Sequence, residues 1–93
     1  MNYYKEIKQK LINNEITKRE KDYSKNRSDL NTYYNVGKLL AEACKHYGEG
    51  IIKEYSKILT SELGKGYSER NLRNIRQFYK VSEKWQTMFA KLS

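Results

Sequence analysis

The short run Gly64-Lys-Gly-Tyr-Ser68 separates two amphipathic segments, and it constrains the fold of this chain more than any other feature. Gly64 and Gly66 can take the positive φ that ends one helix and turns the chain. Ser68 follows as an N-cap whose hydroxyl can accept from the orphan N–H groups of a first helical turn, and Glu69 suits the positive helix end. From there apolar residues recur with a period of about 3.6, placing Leu72, Ile75, Phe78 and Tyr79 on one face. At about 100° per residue, Arg70, Arg73, Gln77, Lys80 and Lys84 fall together on the opposite face. A helix, a glycine turn and a second helix with outward Arg, Gln and Asn is the layout of a helix-turn-helix. The competing reading is a surface helix whose Arg and Lys only keep the chain soluble.

The segment before the turn is a helix over 50–63, with Ile51, Ile52, Tyr55, Ile58, Leu59 and Leu63 inward and Lys53, Lys57, Thr60 and Ser61 outward. Gly48-Glu-Gly50 ends the element before it. That element has a broad apolar face of Leu30, Tyr33, Tyr34, Val36, Leu40, Ala41, Cys44 and Tyr47. Gly37 lies inside this face at a cost of about 1 kcal/mol of helix propensity relative to Ala, which makes sense where another helix crosses closely. A heptad-like seam of Ile16, Tyr23, Leu30, Gly37 and Cys44 favours one long helix over about 15–46. The rival is a break at Asn26-Arg27 with Ser28 as a fresh N-cap and Asp29 in the first turn. Residues 2–12 read as a first short helix, with Asn13-Asn14 as a break after it. The helix after the turn is expected over about 69–82. Trp85, Met88, Phe89 and Leu92 suggest a last short helix over 83–92. No strand signal, repeat or low-complexity linker is visible. The expectation is an all-α small helical bundle, with an N-terminal helical arm over 1–14 and a helical domain over 15–93.

A chain of 93 residues is one domain, and it buries about 60–65% of its unfolded surface. It has no Pro, and nine Tyr against two Phe, which suits small helices that cannot exclude water completely. The formal net charge of +8 favours polyanions, nucleic acid before an anionic membrane surface. The single cysteine, Cys44, allows no internal disulfide and fits a reducing compartment. The N-terminus carries no apolar run of signal-peptide type, and no stretch approaches the roughly 20 apolar residues of a membrane span. A soluble cytoplasmic protein without membrane partners is expected.

Catalytic constellations are not found. His46 is the only histidine and reads as a solvated surface residue. Cys44 lies on an apolar face and reads as a buried thiol. One Cys and one His make no zinc site of ordinary ligand count. Gly48-x-Gly50 and Gly64-x-Gly66 follow no strand and lack the spacing of phosphate loops, so both read as helix ends. Tyr79 as a covalent nucleophile would have to leave the apolar face. No paired carboxylates suit Mg²⁺. The expectation is a binding module with no catalytic residues, no cofactor and no metal. Arg70, Arg73, Asn74 and Gln77 lie in the N-terminal half of the second helix, where Arg suits guanine and Asn or Gln suits adenine through paired hydrogen bonds. Lys65, Lys80 and Lys84 suit phosphates, and Arg76 lies on the flank. Asn71 falls on the inward side by angle and is not counted. DNA is the expected partner. RNA is disfavoured because no aromatic platform of strand type is visible. The alternative is a protein-interaction or dimerisation module, such as an adaptor or inhibitor encoded by a mobile element. It would form a homodimer or dock a partner through the arm residues Tyr3, Tyr4, Ile7, Leu11, Ile16 and Tyr23.

Several stretches together resemble the N-terminal domain of the YhcG-like family. They are Tyr33-Tyr34-Asn-Val-Gly37, Tyr47-Gly48, Ile51 through Leu59, Leu63-Gly-Lys-Gly-Tyr-Ser-Glu-Arg-Asn-Leu72, Arg76-Gln-Phe-Tyr79, and Gln86 through Ser93. The specific part is the block from Tyr47 to Tyr79. In that family the helical domain typically precedes a nuclease domain of the PD-(D/E)XK type. The resemblance therefore implies a DNA-binding, helix-turn-helix-like role in bacterial or mobile-element DNA metabolism and defence. Tyr34 stands where the family usually has Trp, a mild change at a packing site. The nuclease part of the family lies outside this segment, so nuclease activity does not carry over. Two readings follow: a segment of a longer protein, or a stand-alone module.

Overall fold

The computed structural model describes residues 2–20 and 25–92, with side chains for 2–15 and 30–86. Four helices follow in order: α1 (Tyr3–Glu20), α2 (Lys25–Tyr47), α3 (Gly50–Leu63) and α4 (Glu69–Leu92). Among the described residues there is no strand, so the all-α expectation holds.

The central element is α2, which packs against each of the other three helices. A helix touched on several sides buries more than one stripe. Val36, Leu39, Leu40 and Ala43 are all buried, although Leu39 and Ala43 lie outside the stripe read from periodicity. Leu30 and Tyr47, which that stripe includes, are 53% and 61% exposed. α1 supplies Tyr3, Ile7 and Leu11 to the core, α3 supplies Ile52, Tyr55 and Leu59, and α4 supplies Leu72. Each fully buried aliphatic side chain contributes about 1.5–3 kcal/mol relative to exposure.

Three expected boundaries are corrected. α1 runs through Asn13-Asn14 without a break. Gln9 Nε2 donates to Asn13 Oδ1 at 3.0 Å one turn away, and Asn14 is buried. Each Asn costs only a few tenths of a kcal/mol to about 0.7 kcal/mol relative to Ala, which tertiary packing overrides. The single helix over 15–46 is two helices, α1 ending at Glu20 and α2 beginning at Lys25. Tyr3 lies beside His46 and Tyr47, with ring centroids 5.7 and 6.3 Å apart. The start of α1 therefore meets the end of α2, and the two run antiparallel. A continuous helix could not fold its thin apolar stripe back on itself in this way. The rival break at Asn26-Arg27 also fails, since those residues and Ser28 lie within α2. Finally, α4 continues through 83–92 instead of giving way to a fifth helix. No Pro or Gly interrupts it there, and the Tyr34 hydroxyl donates to Glu83 across the α2–α4 contact.

Local signals explain the ends. Asn2 Oδ1 accepts from the Lys5 N–H at 3.1 Å and caps α1. Ser68 Oγ accepts from the Asn71 N–H at 3.2 Å and caps α4. Gly64 and Gly66 hold φ of 99° and 105°, and the Gly64 N–H closes α3 on the Thr60 carbonyl at 3.1 Å.

Among the glycines, only Gly37 has no room for a side chain. A Cβ on it would lie 2.5 Å from the Ile75 carbonyl oxygen and 2.6 Å from Tyr79 Cβ. The close helix crossing expected from this glycine is present, and its partner is α4. α1 is fastened differently: Lys8 and the Tyr4 hydroxyl both reach the Glu62 carboxylate on α3.

Two outcomes are expected. Gly37→Ala should lower stability by about 1–3 kcal/mol despite its better helix propensity, because α4 must move outward. Urea unfolding followed by circular dichroism measures this, and an unchanged midpoint would contradict the crossing. The second concerns tyrosine titration. The hydrogen bond to Glu83, together with burial, pushes the Tyr34 phenol up to about 12. Burial first, then Glu62, raises Tyr4. Burial also raises Tyr3, Tyr55 and Tyr79. Their folded values exceed the ordinary unfolded value of about 10. The stability they contribute is therefore complete below about pH 10 and lost as pH rises through these raised values. Near-ultraviolet tyrosinate absorbance should rise together with loss of helical circular dichroism. Full ionisation of these tyrosines near pH 10 with helices intact would contradict it.

Candidate nucleic-acid interface

α4 carries the site because its two faces are chemically opposed. Leu72 is buried, and Ile75, Phe78 and Tyr79 are half-buried toward the core. Arg70, Arg73, Asn74, Gln77, Lys80 and Lys84 are exposed on the other side, and Lys65 is exposed in the turn before the helix. From Arg70 to Lys84 the row spans about 21 Å of helix at about 1.5 Å per residue. It starts in the first turn after the Ser68 cap, where the helix end presents positive potential. Arg73 meets Glu69 one turn away at 3.4 Å, with the two side chains 51% and 39% exposed. Such a pair is worth little in water and leaves the guanidinium available.

Arg76 behaves differently from the rest. Its side chain is only 15% exposed, and its Nη1 donates to both carboxylate oxygens of Glu49 at 2.8 Å. The same nitrogen lies 3.1 Å from Cys44 Sγ. Arg76 thus ties α4 to the α2–α3 connection and to α2. The hydrogen bond from Arg76 holds the Glu49 carboxyl below the usual range, and Lys80 and Arg73 add to this. Cys44 is half-buried beside this guanidinium.

Asn71 departs from the angular count. It is exposed, and its Nδ2 donates to the Gly66 carbonyl at 3.2 Å. As the third residue after the cap it faces the turn instead of the core, and the Ser68 cap is the signal that could have shown this. Asn71 and Asn74 line an open groove of about 460 Å³ between α1, the turn and α4, together with Tyr33, Tyr67 and Phe78.

Of the arm residues, Tyr3, Ile7 and Leu11 are buried in the core, and Tyr4 is packed against it. These side chains are engaged within the chain. The side chain of Ile16, and Tyr23 altogether, lie outside the described residues.

Nothing in the described geometry activates a nucleophile. The Tyr79 ring stacks edge-on against Tyr34 at 5.2 Å, and burial raises its pKa, opposite to what an attacking phenolate needs. Among the described residues no group of three or more His, Cys, Asp or Glu side chains could hold a metal ion. Among the same residues no helix is long and apolar enough to cross a membrane.

The different roles of the arginines are testable by stability. Arg76→Ala should cost about 1–2 kcal/mol, since it strips a charged partner from Glu49 and opens a half-buried site. Arg70→Ala should stay within about 0.5 kcal/mol of the parent. Equal melting temperatures for the two variants would remove Arg76 from its structural role.

No curated protein and no solved structure matches the chain. The DUF1016 N-terminal domain family matches it over residues 6–93, nearly its whole length. The match takes in α1 from Glu6 onward, α2, α3, the Gly64–Ser68 turn and α4. The chain therefore belongs to the DUF1016 N-terminal domain family, the N-terminal domain of the YhcG-like proteins.

Proposed function

We propose that this domain binds double-stranded DNA through the outward face of α4 and serves as the targeting domain of a nuclease-associated protein or a stand-alone relative. The observation that carries the reading is the exposed row Arg70, Arg73, Asn74 and Gln77 in the first turns of a helix that follows a capped glycine turn. α3, the turn and α4 form the helix-turn-helix pair, with α4 as the recognition helix. Arg and the carboxamides suit base edges, and Lys65, Lys80 and Lys84 suit the backbone. The net charge of +8 adds non-specific attraction. Arg76 leaves the contact set, because its guanidinium is occupied by Glu49.

Anisotropy of a labelled duplex, with single-stranded DNA and RNA of the same sequence alongside, tests the reading at two salt concentrations. The duplex should bind with a log–log salt slope of about −0.9 per phosphate contacted. Arg70→Ala combined with Arg73→Ala should weaken binding about 10-fold or more with the fold intact. Unchanged affinity in that variant, or no binding at low salt, would end it.

A further inference from the structure

We infer that the groove beside α4 receives a single unstacked nucleobase of the bound nucleic acid, an inference that rests on the DNA-binding reading and extends it. The groove of about 460 Å³ lies between α1 and the N-terminal half of α4. That is within the range of about 300–1,000 Å³ typical of small-molecule sites. Its lining combines the two things an extruded base needs. Tyr33, Tyr67 and Phe78 supply aromatic surface for stacking, which every base accepts through its π-face. Asn71 and Asn74 supply carboxamides for the hydrogen-bonding edge.

Three observations favour this ligand. Asn74 belongs both to the groove and to the exposed row of α4, so the groove opens onto the face that would meet the duplex. The Asn71 carboxamide is oriented by its Nδ2 bond to the Gly66 carbonyl at 3.2 Å, which leaves Oδ1 to accept from an incoming amino or imino group. Glu15 also lines the groove. Its charge opposes a phosphate inside and suits a neutral ring carrying N–H donors, while Lys65 at the turn can hold the flanking phosphate.

The test uses the 93-residue chain and two labelled duplexes of one sequence, one perfect and one with a single extrahelical 2-aminopurine. The bulged duplex should bind about 10-fold or more tightly than the perfect one, and 2-aminopurine emission should change on binding. Tyr67→Leu and Asn71→Ala should abolish that preference and leave perfect-duplex affinity within about 2-fold. Circular dichroism checks that each variant folds. If a variant does not fold, the wild-type preference and the emission change decide. Equal affinity for both duplexes with unchanged emission would overturn the inference while duplex binding stands. Absence of binding to either duplex would overturn both.

Discussion

The approach of α2 to α4 at Gly37 is the constraint on which the rest of the molecule depends. With no side chain there, the backbone of α4 at Ile75 lies against α2 within van der Waals reach. The contact sets which face of α4 looks inward. Leu72, Ile75 and Tyr79 are drawn to the core side, and the helical period then obliges Arg70, Arg73 and Gln77 to look out. A second attachment, Arg76 to Glu49, fixes the same helix from its flank. The exposed cations are thus a by-product of where the apolar residues are held.

Much of the remaining stability is shared between aliphatic burial and half-buried tyrosines with occupied hydroxyls. Tyr4 and Tyr34 present rings to neighbouring rings and give their O–H groups to Glu62 and Glu83. A Phe at either place would take one hydrogen-bond donor away from a carboxylate. This accounts for the preference for Tyr over Phe in a domain too small to seal its core from water.

The parts of the fold legible in the sequence are those decided locally. The bounds of α3, the glycines with positive φ, the Ser68 cap and the two faces of α4 all follow from short-range chemistry, and a glycine inside an apolar face marks the crossing at Gly37 though not its partner. What was misread depends on neighbours. Asn13-Asn14 signals a break only if propensity decides, and here burial of Asn14 decides. Leu39 and Ala43 are buried because α2 has partners on several sides, whereas a moment of hydrophobicity describes only one. Arg76 looks like any other cation on a helical wheel, and its role comes from Glu49, 27 residues away. The groove is likewise invisible in sequence, since Tyr33, Tyr67 and Asn74 come together only through packing. For the site, then, the exposed row could be read in advance and its neighbour could not.

At 24 residues α4 is a rod of about 36 Å, and it is gripped near its middle, where Gly37 meets Ile75 and Tyr79 and where Tyr34 reaches Glu83. Its leading half bears the arginines, and its trailing half carries the exposed Val81 and, past Glu83, the exposed Trp85. Because its leading half is also pinned by buried Leu72 and by Arg76 on Glu49, a load applied to the arginines passes directly into the packed interior.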